Sequence, residues 1–542
     1  MKRRVTGVSR REILRLMGGL AGGSALAGCG GEDVGQQEDQ LIGECLWNGK
    51  AKRAKAPRGT FGGIQHVVVL MMENRSFDQT FGALSIDPDR VDGSGEPMGG
   101  EGRSDVNGLS GDELNLNLAG DEVHVFRQKK LIVGDIAHDW DNCHRQFDWE
   151  GSGIGKNDGF VREHESDLLL GAAAKCATSD YFGKNVGCPA ARDPMGFYTR
   201  DELPVSYALA DSYTLCDNWF SSVLGPTWPN RFYLHAGSAR GQQGNKPVLG
   251  MKTIWELCGE QCLGGKNYYC DLPWAHVVGE GFVLSSKIGD GQLGGILRPF
   301  HGRQPGRGSF IDDVREDDLA PLSVIDPGFS SGYDDHPPSD VLLGQAFISY
   351  VYRILASNPK VWAKTLLVIT YDEHGSFYDH VVPPGDVPDS PQSFDAHAPF
   401  RQLGIRVPAL VIGPHVKQGH VSHVQYDHCS ILSTVTNRFD LSQGGKRWLN
   451  DRVRHTADLA DCIDVEGEQS SAEPADIPVL EFSESELMDF SRSAFPDGQE
   501  ELARMVERGE IPRQHDLRGH REEHMREFLE EGEKLGVFTL RR

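Results

Sequence analysis

Hydrophobic residues form three continuous runs in this chain: Ile64–Met72, Thr365–Tyr371 and Val407–Ile412. Each has the length of a strand buried on both faces, as strands of parallel sheets are. Ahead of the second run, Ser339–Ala356 carries apolar residues at helical spacing. Strands alternating with helical patterns predict an α/β fold around a mainly parallel sheet. Residues 240–335, rich in Gly and Cys, read as a long insertion over one sheet edge. From Glu484 to Arg542 the pattern is charged and helical, interrupted at Pro496 and Pro512; a solvated helical face packed on the domain is its simplest use, and a partner surface the alternative. No stretch of 18 apolar residues exists to make an ordinary membrane-spanning helix.

The first 29 residues follow another logic. A basic start leads into Ser9-Arg10-Arg11-Glu12-Ile13-Leu14-Arg15 and then the weakly apolar Leu16–Gly28. That run is too short to span a bilayer and too rich in Gly for a core helix, so it predicts an export signal of twin-arginine type. Leu26-Ala27-Gly28-Cys29 resembles a bacterial lipobox, which makes Cys29 the candidate for lipidation and the membrane anchor. The expected locations are periplasmic or cell-surface as a lipoprotein, or secreted. Residues 30–60 are a polar tether, 61–445 the main folded domain with its insertion, and 446–542 a charged, partly helical C-terminal extension.

Composition narrows the function. With 55 Lys+Arg against 79 Asp+Glu the formal net charge is −24, which argues against nucleic acid as a partner. The 65 Gly and 28 Pro imply many loops and turns. Of 11 cysteines, ten remain once Cys29 is assigned to lipid, and an even number in an oxidising compartment suggests disulfides. Cys258, Cys262 and Cys270, and Cys176 with Cys188, are close enough in sequence for loop-stapling bridges. The C-x3-C-x7-C spacing also suits zinc, but no His is nearby to complete the set.

Ligands of parallel α/β sheets bind beyond the carboxyl ends of the strands. Two such ends carry acidic clusters here: Glu73-Asn74-Arg75-Ser76-Phe77-Asp78, and Asp372-Glu373-His374-Gly375-Ser376-Phe377-Tyr378-Asp379-His380. Carboxylates directly after buried strands are costly unless hydrogen-bonded or bound to a cation. A divalent metal held by the oxygens of Glu73, Asn74, Asp372 and Glu373 answers that cost; helix capping is the plainer alternative for either cluster alone. In Gly225-Pro226-Thr227-Trp228-Pro229-Asn230-Arg231 the flanking residues fix a turn that presents the Thr227 hydroxyl, a weak nucleophile until a base or metal lowers its pKa.

Together these segments resemble the bacterial phosphoesterase family of the alkaline-phosphatase-like superfamily, which includes phospholipases C and an acid phosphatase. Lys156-Asn157-Asp158-Gly159-Phe160, Asp335-His336-Pro337, Arg406-Val407-Pro408 and Tyr426-Asp427-His428 extend the likeness over about residues 62–445. The resemblance implies a three-layer α/β/α sandwich with a mixed, mainly parallel, alkaline-phosphatase-like sheet. It also implies Thr227 as nucleophile, passing through a phosphothreonine intermediate. Glu73, Asn74, Asp372 and Glu373 match the metal ligands, with Thr227 completing the shell around one or more divalent ions (Ca, Mg, Mn or Zn). His138, His336 and His380 lie in matching segments as candidate acid–base or phosphate contacts, and Lys156 as a candidate phosphate clamp. The substrate is then a phospholipid or a small phosphate ester.

Two departures stand out: Gly375-Ser376 where the family usually has two glycines, and Gln79 after the first cluster. The C-terminal extension does not resemble the β-rich repeats of haemolytic phospholipases C. A diesterase of phospholipase C type leads; an acid-phosphatase-type monoesterase and a non-catalytic lipid-anchored surface protein are the alternatives. A sulfatase is disfavoured, because Thr227 cannot be converted to formylglycine.

Overall fold

The computed structural model describes most of residues 60–172, 190–278, 309–483 and 528–541, with short pieces between them. The signal, the lipobox Cys29 and nearly all of the tether lie outside the described residues, as do Cys176, Cys188 and Cys262.

One eight-stranded sheet organises the chain. Its strands are β1 (His66–Met72), β2 (Thr214–Cys216), β3 (Gly265–Tyr269), β4 (Leu293–Gly295), β5 (Leu322–Asp326), β6 (Thr365–Tyr371), β7 (Ala409–Ile412) and β8 (Val421–Ser422). The spatial order is β4-β3-β5-β1-β6-β7-β2-β8. β7 runs antiparallel to both neighbours while the other pairings are parallel, giving the mixed, mainly parallel sheet that was expected. Every residue of β1 and β6 is buried, which is why their sequences are unbroken apolar runs rather than alternating ones. Helices α1 (Pro204–Ser212), α2 (Thr227–Ala236), α3 (Val341–Ala356) and α4 (His428–Arg438) supply the outer layers. α1 packs with α3 and α2 with α4, completing an α/β/α sandwich.

The 240–335 reading needs correction. This segment does not lie over a sheet edge: it builds one side of the sheet, contributing three of the eight strands, β3, β4 and β5, and β5 pairs directly with β1. The cysteine reading also changes. Among the described residues Cys143, Cys216, Cys258 and Cys462 carry free thiols, so Cys258 takes no part in a loop-stapling bridge.

The described parts of the C-terminal extension pack on the catalytic domain. Leu480–Ser483 pairs in parallel with Phe538–Arg541, so the chain's last described segment is a strand where a helical pattern was expected. Arg353 of α3 donates to the carbonyls of Ile477 (2.7 Å) and Leu535 (3.4 Å). The Phe528 ring lies 4.8 Å from that of Tyr333 and 5.0 Å from that of Tyr350.

Candidate active site

The register that pairs Met72 with Tyr371 brings the next residues, Glu73 and Asp372, out of the sheet side by side. Both are fully buried, as are Asn74 and Glu373. Asn74 takes a left-handed backbone (φ 61°), a conformation Asn tolerates better than most residues, and its N–H donates to Asp372 Oδ1 at 3.1 Å. Gly375, at φ +60°, lies against this turn; a Cβ there would come 2.3 Å from the Asn74 carbonyl oxygen. The departure at Ser376 is absorbed by hydrogen bonds. Its backbone is left-handed (φ 64°), while its hydroxyl donates to the Ala137 carbonyl and accepts from Gln146 Nε2 at 2.6 Å.

Arg231, from the Thr227 segment, reaches across these strand ends. Its guanidinium lies 3.1 Å from Glu73 Oε1, 3.1 Å from Asp372 Oδ2 and 3.7 Å from Asp326 Oδ1 at the end of β5. Burial pushes the Asp372 carboxyl up to about 6, with Glu373 adding to the rise and Arg231 opposing it.

Thr227 is the first residue of α2. Asn230 pins the turn before it, accepting from the Val223 N–H (3.0 Å) and donating to the carbonyls of Gly225 (2.9 Å) and Pro226 (3.1 Å). Gly225 is required because the Trp140 ring lies where a Cβ would go, 2.7 Å away.

Two histidines stand at the site in different states. His138 Nδ1 donates to the Ile136 carbonyl (2.6 Å), while Nε2 lies 3.0 Å from Asn74 Nδ2 and 3.8 Å from Glu373 Oε1. Burial alone lowers its pKa, but Glu373 and then Asp135 outweigh it and raise it to about 9. His336 Nδ1 donates to the Pro337 carbonyl (2.5 Å), leaving Nε2 as a bare acceptor; burial and then His138 depress its pKa to about 3. The two ring centroids are 5.5 Å apart. For Glu373 burial is again opposed and overcome, by His138 and His374, so its carboxyl is held below the usual range.

His380 and Lys156 are placed elsewhere. His380 Nδ1 bonds Asp78 Oδ2 (2.8 Å) and Nε2 lies 3.2 Å from Asn107 Oδ1, in an ion-pair knot where Arg406 grips both Asp78 (3.0 Å) and Asp379 (2.8 Å). It shares no described partner with His138 or His336. Lys156 is exposed, and its charge acts on Asp148. Conversely, Arg231, Asn230, Asp326 and Asp135 belong to the site although none was singled out from sequence. Asp135 with His138 and His336 forms a group whose candidate ligand atoms lie within 4.8 Å of one another. The spacing Asp135-x-x-His138 was the available signal; Asp326 ends a strand too short to detect.

The donor set fits a divalent cation. Thr227 Oγ1, Asn74 Oδ1, Glu373 Oε1 and His336 Nε2 are all buried without a hydrogen bond, and buried polar atoms in that condition are few in a folded protein. Oxygen-rich sites with carboxylate charge suit Ca, Mg or Mn, and nearby imidazoles also admit Zn.

Comparison with known proteins identifies the family. The model of the Phosphoesterase family matches residues 64–260 and 299–442. Phospholipase C B of Mycobacterium tuberculosis is 34% identical over 426 residues, covering 72% of this chain and 76% of its own. Non-specific phospholipase C1 of Arabidopsis thaliana is 31% identical over 418 residues, covering 72% of this chain and 69% of its own. Non-hemolytic phospholipase C of Burkholderia pseudomallei is 28% identical over 485 residues, covering 80% and 62%. These relatives place the chain among enzymes that hydrolyse phosphoric esters. The chain belongs to the phosphoesterase family.

Proposed function

We propose that this chain is an exported, cation-dependent phosphodiesterase of the phospholipase C type, with Thr227 as its nucleophile. The observation that carries the reading is the buried Thr227 hydroxyl, without a hydrogen bond and opening α2, the helix whose Arg231 reaches Glu73 and Asp372; Asn74 Oδ1 and Glu373 Oε1 beyond those strand ends are in the same condition. Glu73, Asn74, Asp372, Glu373 and Thr227 would hold the ion, which when bound supplies charge neutralisation for the phosphoryl group and a lowered hydroxyl pKa. Asn230 holds the turn that sets the Thr227 oxygen for in-line attack on phosphorus. The ester oxygen leaves with the alcohol, the phosphoryl group stays on Thr227, and water then releases it. The start of α2 favours the anionic group through its helix dipole. His138, with Nε2 3.8 Å from Glu373 Oε1, and His336, with Nε2 free of any hydrogen bond, are suited to exchange a proton with the leaving oxygen and the attacking water. Export and anchoring through Cys29 rest on residues 1–29 of the sequence.

The test compares p-nitrophenylphosphorylcholine with p-nitrophenyl phosphate, after chelation and with each of Ca, Mg, Mn and Zn restored. Cation-dependent cleavage of the diester, lost in Thr227→Ala, is the expected result. Cleavage of the monoester alone would make the chain a phosphatase. Inactivity on both with every ion, in protein that takes up no metal, would favour a non-catalytic surface protein.

A further inference from the structure

Cys216 closes β2, and Cys462 closes the short helical turn Leu459–Cys462 in the C-terminal extension. Both are fully buried, and their Sγ atoms lie 3.9 Å apart although 246 positions separate them. This proximity is set by backbone on both sides. Cys216 pairs in register with Ser422 of β8. On the other side, Lys417 N–H donates to the Cys462 carbonyl (3.0 Å), Val416 bridges Ile463, and Asp464 N–H donates to the His415 carbonyl (2.8 Å). Residues 415–422 are thus clamped between the two cysteines by main-chain hydrogen bonds. Around the thiols, Ser422 Oγ donates to Asp461 Oδ2 (2.6 Å), and the Tyr426 hydroxyl lies 3.8 Å from Cys462 Sγ.

We propose that Cys216 and Cys462 form a disulfide that fastens the C-terminal extension to the sheet. Side-chain rotation has to close the sulfurs by only about 2 Å to reach bonding distance. The oxidant is a disulfide, RSSR. The thiolate of one cysteine attacks RSSR, giving a mixed disulfide and releasing RS⁻. The second thiolate then attacks the protein sulfur of that mixed disulfide and releases the other RS⁻. The two cysteine protons end on the two RSH, so two thiols and RSSR become one protein disulfide and two RSH. Because both sulfurs are buried in the finished fold, exchange occurs while the extension is still docking. The bond is independent of which ester the active site cleaves.

The test folds the full chain in mixed reduced and oxidised glutathione, denatures it in iodoacetamide without reductant, and maps the peptides by mass. The expected product joins the Cys216 and Cys462 peptides, lighter by two hydrogens, while Cys143, which donates to the His138 carbonyl, is alkylated. Dithiothreitol should lower the melting temperature of this protein by several degrees and leave that of Cys216→Ser and Cys462→Ala unmoved. Alkylation of both Cys216 and Cys462 in the glutathione-folded chain, or a bridge from either to a different cysteine, would overturn the proposal.

Discussion

Asn74 combines two roles that a single substitution can separate. Its left-handed backbone holds the turn against Asp372, and its side chain supplies Oδ1 to the oxygen cluster. Glycine is at ease at φ 61° but has no side chain. Asn74→Gly should therefore keep its melting temperature within a few degrees while weakening cation binding at least tenfold by calorimetry. Gly344 poses the opposite problem. Alanine in a helix interior normally gains about 1 kcal/mol over glycine, yet a Cβ here would fall 1.8 Å from Asp335 Oδ1. That carboxylate accepts from the Tyr371 hydroxyl at 2.5 Å and cannot swing aside freely. Gly344→Ala should destabilise the fold despite its better propensity, which a urea titration would measure. At this scale the strand-end residues were legible because acidic groups directly after a buried run stand out by their cost. Arg231 was not, since its role depends chiefly on Glu73 and Asp372, each more than 140 positions away. His380 shows the reverse: its spacing suited the site, but Asp78 and Arg406 compete for it.

Long elements were readable and short ones were not. Ile64–Met72 and Thr365–Tyr371 match β1 and β6 closely, and Ser339–Ala356 matches α3. β2, β4 and β8 have two or three residues each, too few to show a period, and Gly265-Lys266-Asn267-Tyr268-Tyr269 hides a strand behind polar residues. Those elements are specified by pairing with distant partners, which is why three of the eight strands read as an insertion. The start of α2 shows how an element delivers chemistry. Asn230→Ala removes three buried hydrogen bonds that hold the turn before Thr227. At about 1 kcal/mol each, a loss of roughly 3 kcal/mol in stability is expected. If positioning is the residue's role, kcat should fall at least tenfold with metal content and KM little changed, as metal analysis and steady-state kinetics would show.

Across the whole molecule, buried histidines set the acid limit. Burial holds His164 and His428 down to about 4, and His235 and His336 to about 3. The unfolded chain takes up these protons near pH 6.5, whereas the folded chain resists until pH 4 or below. Their neutral state therefore contributes stability above pH 6.5 that drains away as pH falls towards 4, on the order of 3 kcal/mol per histidine. His235 accepts from Trp255 Nε1 at 3.1 Å, a bond an amide oxygen can replace. His235→Asn should flatten the fall in urea midpoint between pH 7 and 4.5; an unchanged slope would remove His235 from the account. Sheet order has a further consequence, in time rather than space. β1 lies between β5 and β6, so the first strand made waits for partners that emerge from synthesis some 250 to 300 residues later. Until Tyr371 has left the ribosome, an apolar ribbon with at least one unpaired edge needs shelter, and no partial product can hold Glu73 beside Asp372. Activity is thus withheld until Asp372 has been made, and any fragment ending before residue 371 should be both inert and prone to aggregate.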